Sequence, residues 1–329
     1  MRTLTKNHPH ASLCYSKTMR KITAAQVVRT SFLVDLSDVL LNVIVAVLSG
    51  SAVMFVEALQ GGADLFTSGF LLVGIKRSQR SSNKRHPFGY GREIYFWTLI
   101  SSLTMLTVTA TLSFYHGWQH FFNPQFLAYT PLALLVLLIG FATNSYALSL
   151  SYKRLKGTQT EGSLWELFAS SVLVETKATF ILDLMGVMSA SFGFMTLLLY
   201  LFTRDSRYDG IGAMVIGLGI AFFALLLVLD VKDILIGRSV DPQIEAAIEK
   251  TALTLDGVEA ILDLRTMYLG SERLLVNMEL DIADNLKTNQ IEHLMDTIKA
   301  EIKTKIPSVR HIQIEVETPK RQHAYAKDY

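Results

Sequence analysis

The chain has 329 residues, of which 50% are apolar and 18% are charged, below the ~25% charged residues that are usual for soluble domains. The formal net charge is only +2, which excludes the strongly basic surface of a typical nucleic-acid-binding protein. A single cysteine, Cys14, excludes a disulfide scaffold and CxxC metal motifs. Charged residues are concentrated after residue 240, which predicts a membrane-embedded body followed by a small soluble domain.

Six apolar windows are each close to or above the ~20 residues that cross a bilayer. They predict membrane spans at Ser31–Leu48, Ala52–Ile75, Ile94–Tyr115, Tyr129–Leu150, Leu167–Phe202 and Ile211–Leu229. The fifth window is too long for one crossing, so its Leu167 end is expected to continue as a helix into water. No apolar stretch of a signal peptide precedes Lys21, so the first span is expected to be retained.

Lysine and arginine residues are divided unevenly between the two ends of these spans. Seventeen lie in the connecting segments on the side of the membrane where both chain termini lie, and only Arg204 and Arg207 lie on the other side. Because cytoplasmic loops carry the excess of basic residues, both termini are expected in the cytoplasm. The predicted protein is a multi-pass integral membrane protein, placed in the plasma (inner) membrane.

The tail has the pattern of a small α+β domain. A helix follows Asp241–Pro242, a usable N-cap and first-turn pair. Two β-like runs, Val258–Tyr268 and Leu274–Ile282, flank a hairpin turn. A second helix at Thr288–Lys305 and a last strand at Val309–Val316 complete an αββαβ order, which suits helices packed on one sheet.

The predicted organisation has four parts. Residues 1–25 are an N-terminal cytoplasmic segment predicted to be disordered, 26–239 the six-helix transmembrane domain, 240–319 the cytoplasmic domain and 320–329 a polar tail. Met19, which precedes Arg20 and Lys21, is an alternative start. Residues 1–18 are therefore either native or an extension.

Polar residues inside the predicted spans are the main functional signal, because a carboxylate at mid-membrane costs on the order of 3 kcal/mol. Gln60 and Asp64 in span two are four residues apart, and Thr179 and Asp183 repeat that spacing in span five. Each pair therefore lies on one helix face. Two such faces turned toward each other would form a four-ligand cage for a divalent cation, whose charge two aspartates cancel. The alternative is that these acids pair with Lys177 or neighbouring helices and bind nothing.

Two motifs resemble the cation diffusion facilitator (CDF) family. Residues 50–64, GSAVMFVEALQGGAD, are similar to the second-helix pattern of that family, and residues 86–97, HPFGYGREIYFW, resemble its next loop in the branch similar to zinc transporter 9. The tail is similar to the cytoplasmic ferredoxin-like domain of the family. The fold class implied is an α-helical membrane protein with six transmembrane helices and a C-terminal ferredoxin-like α+β domain.

The resemblance implies a homodimeric secondary transporter, not an enzyme, that exports a divalent metal ion by proton antiport and needs no cofactor. Asp64 and Asp183 would be ligands in the transport site, with Gln60 and Thr179 at positions where the family usually has His or Asp. Since carboxylate, amide and hydroxyl oxygens suit harder ions such as Mn²⁺, zinc, manganese and iron(II) stay open as substrates. Gln60 and Thr179 at these positions are also expected of a transport-silent subunit that acts as a regulatory or heterodimer partner.

Five further polar residues in the spans are candidates for a gate or for supporting the ligands: Glu57, Glu175, Lys177, Asp35 and Asp38. Glu175 with Lys177 is predicted to form an inner-side ion pair, unless Lys177 extends to the interface. Asp35 and Asp38 either line an access path, or they cap the helix or are solvated at the membrane interface.

Two pairs of histidines are weaker candidates. His116 and His120 are one helical turn apart at the outer end of span three, where aromatic neighbours favour an interfacial belt over a metal site. His293 and His311 in the tail are candidates for a regulatory metal site with nearby acids, and ordinary surface exposure is the alternative.

Overall fold

The computed structural model describes residues 24–156, 174–271 and 273–318. These contain six helices long and apolar enough to cross a membrane, which confirms the six predicted spans. In chain order the helices are α1 (Ala24–Ser49), α2 (Ala52–Ser78), α3 (Glu93–Phe122), α4 (Thr130–Lys156), α5 (Val174–Thr203) and α6 (Arg207–Ile236). The predictions for residues 1–23, for Leu167 and for 320–329 lie outside the described residues. Helix α1 begins at Ala24, just inside the segment 1–25 predicted to be disordered.

The chain reverses sharply between α1 and α2. Gly50 has φ +66°, a left-handed conformation that glycine adopts without steric cost. The Ser51 hydroxyl then caps α2 by accepting a hydrogen bond from the Met54 N–H at 3.2 Å. This reversal places the start of α2 beside the end of α1.

Glycines allow α3 and α6 to approach closely. A Cβ on Gly117 would lie 2.7 Å from the backbone nitrogen of Met214, and one on Gly210 would lie 2.7 Å from that of Phe121. Small residues are the usual means of close helix packing in membranes. Met105–Thr109 within α3 forms a π-helical turn, which apolar periodicity does not predict.

The C-terminal part is an α+β domain with one small sheet, which confirms the predicted fold class. Its elements are α7 (Pro242–Leu253), β1 (Val258–Gly270), β2 (Arg273–Ile282), α8 (Thr288–Lys305) and β3 (Val309–Val316). The β1 and β2 strands pair antiparallel, whereas β3 pairs parallel to β2, as the intervening α8 crossover requires. Alternate residues of β2, among them Val276 and Met278, are buried with Ile298 and Ile302 of α8, so helices cover one face of the sheet.

The β1–β2 hairpin packs against the loop that joins α2 to α3. A Cβ on Gly91 would lie 2.2 Å from the carbonyl oxygen of Leu269, so the two backbones are in direct contact. The rings of Phe88 and His311 meet edge to face with centroids 5.3 Å apart. No local sequence pattern predicts this contact. It fixes the C-terminal domain at the end of the bundle where α2 ends and α3 begins.

Candidate functional site

The four residues predicted as ligands all lie inside the helix bundle. Gln60 and Asp64 on α2 are 2% and 6% exposed, and Thr179 and Asp183 on α5 are 0% and 1% exposed. A buried charge is costly unless a partner compensates it. The groups that surround each carboxylate therefore determine whether these four residues can bind a cation.

Asp183 is held by hydroxyl groups from two other helices. Ser31 on α1 donates a hydrogen bond to its Oδ1 at 3.1 Å, and Ser151 on α4 donates to its Oδ2 at 2.6 Å. Both carboxylate oxygens are thus engaged by neutral donors rather than by a cation. A positive ion is a stronger partner for this carboxylate than a hydroxyl.

A third carboxylate joins the cluster from α1. Asp35 is 5% exposed, and its Oδ2 accepts a hydrogen bond from Ser68 on α2 at 2.7 Å. Asp35 and Asp183 both lie close enough to Asp64 to repel its charged form. Three aspartates from three helices therefore converge, one more than the pair predicted as central ligands.

Three buried side-chain oxygens on α2 have no hydrogen-bond partner within the described residues: Glu57 Oε1, Gln60 Oε1 and Asp64 Oδ1. Leaving a buried acceptor unsatisfied costs about 1–3 kcal/mol. Unsatisfied oxygens on successive turns of one helix are a reservoir of ligands for a cation, a proton or water.

Thr179 is bonded to its own helix. Its hydroxyl donates to the carbonyls of Thr176 at 3.0 Å and Glu175 at 3.2 Å. The hydroxyl oxygen retains lone pairs that can bind a cation, so this geometry is compatible with the predicted role.

Asp38 lies inside the bundle as well, at 8% exposure. It accepts hydrogen bonds from Asn144 Nδ2 at 2.8 Å and from the Thr143 hydroxyl at 3.2 Å. The alternative of interfacial solvation for Asp35 and Asp38 is wrong, because neighbouring helices shield both side chains from solvent.

The predicted ion pair between Glu175 and Lys177 is wrong. Lys177 is 0% exposed, and its Nζ lies 2.9 Å from Asp230 on α6, so it does not extend to the interface either. Glu175 instead accepts a hydrogen bond from the Ser271 hydroxyl at the hairpin turn, at 2.7 Å. Its other oxygen lies 4.0 Å from Arg154 on α4. These contacts link the start of α5 to α4, α6 and the C-terminal domain.

The carboxylate cluster is not a preformed metal centre. Within the described parts of the chain, no group of three or more His, Cys, Asp or Glu side chains is placed to hold a metal ion. Asp183 and Asp35 would exchange their serine partners for the ion, since those hydroxyls occupy the oxygens that a metal would use.

The two histidines of the C-terminal domain lie apart from each other. His311 on β3 packs against Phe88, and His293 on α8 lines a cavity of about 680 Å³ together with Asp256. Within the described residues, neither histidine belongs to a group of three or more His, Cys, Asp or Glu side chains that could hold a metal ion.

An acidic row crosses the exposed face of the sheet. Asp263 on β1 is paired in register with Glu279 on β2, which is paired with Glu315 on β3. Partial burial, together with Asp263, Glu317 and Glu315, raises the pKa of Glu279 above its ordinary value. Glu279 therefore holds its proton more tightly than an isolated glutamate does.

Sequence reasoning missed the serines that hold the aspartates. Ser31 and Asp35 are four residues apart on α1, as are Asp64 and Ser68 on α2. That spacing places each serine one turn from a carboxylate, so a search for hydroxyls at this interval would have found them. Ser151 had no such local signal, because α4 carries no carboxylate three or four residues from it.

Two family models match the chain. The cation efflux transmembrane domain matches residues 28–236, and the cytoplasmic domain of cation efflux proteins matches residues 240–319.

Curated relatives are similar over most of the chain. "Proton-coupled zinc antiporter SLC30A9, mitochondrial" from Xenopus laevis is 24% identical over 309 residues, which cover 82% of this chain and 55% of that protein. Its Homo sapiens counterpart is 23% identical over 307 residues, covering 82% and 54%. "Magnetosome protein MamB" from Magnetospirillum gryphiswaldense is 23% identical over 294 residues, covering 88% and 92%. The chain thus spans about half the length of the SLC30A9 relatives.

Among solved structures, the nickel form of a MamM CTD variant is similar to 24% of this chain and 98% of its own, with 19% identity and a TM-score of 0.23.

Proposed function

Because the chain belongs to the cation efflux family, we propose that it is a secondary transporter that exports a divalent metal ion from the cytoplasm by proton antiport. The proposal rests on the buried carboxylates that converge from three helices, Asp35, Asp64 and Asp183. Two carboxylates neutralise one divalent ion, which removes the main electrostatic obstacle to holding it in a low-dielectric interior.

Asp64 and Asp183 are the proposed central ligands, assisted by Gln60 and Thr179. Asp64 Oδ1 and Gln60 Oε1 are buried without hydrogen-bond partners among the described residues, so both gain an interaction when a cation arrives. Asp35 offers an additional carboxylate from α1. This donor set consists entirely of oxygen atoms.

Proton coupling follows from the chemistry of these ligands. A carboxylate binds a metal only after it has lost its proton, so loading the ion releases protons. Reprotonation at the opposite face of the membrane weakens the site and releases the ion. Alternating access would be a rocking movement of the helices that carry the site.

The proposed substrates are Zn²⁺, Mn²⁺ and Fe²⁺. An oxygen donor set favours harder ions such as Mn²⁺, whereas the SLC30A9 relatives are named zinc antiporters. A transport screen of these ions with Co²⁺ and Mg²⁺, with and without a pH gradient, ranks them directly. A pH gradient that leaves the metal flux unchanged would contradict antiport.

The protein is a multi-pass membrane protein, and we propose that both termini are cytoplasmic and that two copies dimerise through the C-terminal domain. The match to the cytoplasmic domain model at residues 240–319 supports both statements. The plasma (inner) membrane is the proposed location. A fluorescent fusion tests it against the mitochondrial location that the names of the SLC30A9 relatives give.

Proteoliposomes containing the purified protein test the site assignment. Asp64→Asn and Asp183→Asn are expected to lower the initial rate of metal flux at least 10-fold, because each removes a charge that the ion needs. The matched control is Asp233→Asn, since the Asp233 side chain on α6 is 59% exposed and undergoes the same isosteric change. Rates equal to the parent in both cluster variants would overturn the assignment.

The second candidate is a transport-silent subunit. Gln60 and Thr179 at the family's ligand positions favour it, as does the absence, within the described residues, of a preformed three-residue metal group. Calorimetry with Mn²⁺, Zn²⁺ and Fe²⁺ separates the two candidates. A folded sample that gives no binding heat with any of the three favours the silent subunit.

A further inference from the structure

A cavity of about 580 Å³ opens at the end of the bundle opposite the C-terminal domain. Its lining includes Ser51 at the start of α2 and His116 and His120 near the end of α3. Asp64 lies thirteen residues after Ser51, about 20 Å along the helix axis at 1.5 Å per residue. The cavity is therefore separate from the carboxylate cluster.

The two histidines share one face of α3. A spacing of four residues allows two imidazoles on a helix to bind the same metal ion. His120 is 7% exposed, and its Nε2 has no hydrogen-bond partner within the described residues. The His116 ring lies against the Phe55 ring, with centroids 4.1 Å apart, which restricts its orientation.

Asp209 on α6 is placed to orient His120. Its Oδ2 lies 3.4 Å from Nε2 of His120. The carboxylate is fixed in turn by the Ser51 hydroxyl at 2.6 Å and by the backbone N–H groups of Ala52 at 2.5 Å and Val53 at 3.2 Å. Histidines that ligate metals characteristically direct their other ring nitrogen to a carboxylate. Nε2 makes no hydrogen bond to Asp209 in this structure, and one formed on metal binding would leave Nδ1 of His120 for the ion.

The aromatic belt predicted here and the histidines occupy different sides of α3. Tyr115, Trp118 and Phe122 are 56%, 50% and 59% exposed, as expected of rings that face lipid at the interface. His120 is buried between helices instead. Membrane anchoring by the aromatic rings therefore does not account for the position of the histidine.

We propose that His116 and His120 form a second metal-binding site, for a borderline divalent ion such as Zn²⁺, at the membrane face opposite the C-terminal domain. Imidazole nitrogens suit such ions better than the all-oxygen cluster does. The amides of Gln119 and Asn123, which also line the cavity, and water complete the coordination. With two nitrogen ligands the site binds the ion only loosely, which suits an ion that passes through.

The test uses the full chain carrying Asp64→Asn and Asp183→Asn, so that Zn²⁺ binding is measured without the proposed transport ligands. We expect this background to bind Zn²⁺ with imidazole scattering in its X-ray absorption spectrum. Adding His116→Ala and His120→Ala should remove that contribution and weaken calorimetric Zn²⁺ binding at least 10-fold. Adding His293→Ala and His311→Ala instead is the matched control, which also removes two imidazoles and should preserve this binding.

Equal Zn²⁺ affinity with and without His116 and His120 would overturn the proposal, as would a folded background protein that binds no Zn²⁺. If the double substitution prevents folding, His116→Ala alone, at a half-buried position, should weaken binding while the protein elutes as the parent does. An unchanged affinity in that variant would also overturn the proposal. Failure of the transport assignment appears separately, as unaltered flux in Asp64→Asn and Asp183→Asn.

Discussion

Replacing Gly91 by alanine is expected to detach the β1–β2 hairpin from the α2–α3 loop. The new Cβ would lie 2.2 Å from the carbonyl oxygen of Leu269 and 3.2 Å from the Cα of Gly270. Both neighbours are backbone atoms, so no side-chain rotation relieves the overlap. One of the two segments must move by more than about 1 Å before the contact becomes an ordinary van der Waals contact.

The size of the effect follows from the cost of overpacking, which is about 1–3 kcal/mol. If that cost falls on docking, the ratio of docked to undocked protein decreases about 5- to 150-fold. Backbone strain does not contribute, because Gly91 lies outside the left-handed region that Gly89 occupies at φ +84°. The substitution therefore tests the contact alone.

Disulfide-length crosslinking measures the docked population. The ring centroids of Phe88 and His311 are 5.3 Å apart. In a Cys14→Ser background, a short thiol crosslinker should therefore rapidly join cysteines introduced at these two positions. Gly91→Ala should slow that reaction, by at most the decrease of about 5- to 150-fold in the docked-to-undocked ratio. Gly62→Ala is the control, since a Cβ there meets no atom within 4 Å. An unchanged rate in Gly91→Ala would refute the docking of the hairpin on this loop.

Three further predictions concern single side chains. Because the pKa of Glu279 is raised in the folded protein, its contribution to stability is lost as the pH rises through that pKa; Glu279→Gln should raise the melting temperature at pH 7.5 and change it little at pH 4. Asp230→Asn removes the carboxylate paired with the buried Lys177 and should lower the free energy of unfolding by on the order of 3 kcal/mol, measured by thermal unfolding in detergent. Ser151→Ala removes a hydroxyl that competes with a metal for Asp183, so calorimetric metal affinity should rise about 5-fold; a lower affinity would show that the hydroxyl supports the ion instead.

The spans and the C-terminal domain were predictable because their signals are local. Each span is a long apolar window, and α8 has apolar residues at helical spacing, of which Ile298 and Ile302 are buried. Strand β2 alternates between buried and half-buried residues, as the sequence pattern requires. These patterns depend on the period of one element and not on its neighbours.

The partners of the buried charges were not predictable in the same way. Residues two apart on a helix do not face each other, so Glu175 and Lys177 could not pair, and each found its partner on another element. Lys177 reaches Asp230 on α6 and Glu175 reaches Ser271. Such choices depend on the rotation of each helix about its axis, which a single sequence does not specify.

Asp35 affects the interpretation of Gln60 and Thr179, which stand where the family usually has His or Asp. Gln60 and Thr179 remove charged or imidazole ligands from α2 and α5, which taken alone favours a protein that binds no ion. The structure supplies a buried carboxylate from a third helix, within electrostatic reach of Asp64 and Asp183. A site with three carboxylates has more than enough negative charge for a divalent ion. An ion bound there would also join α1 to α2 and α5, so its binding and release would act on the packing of all three helices.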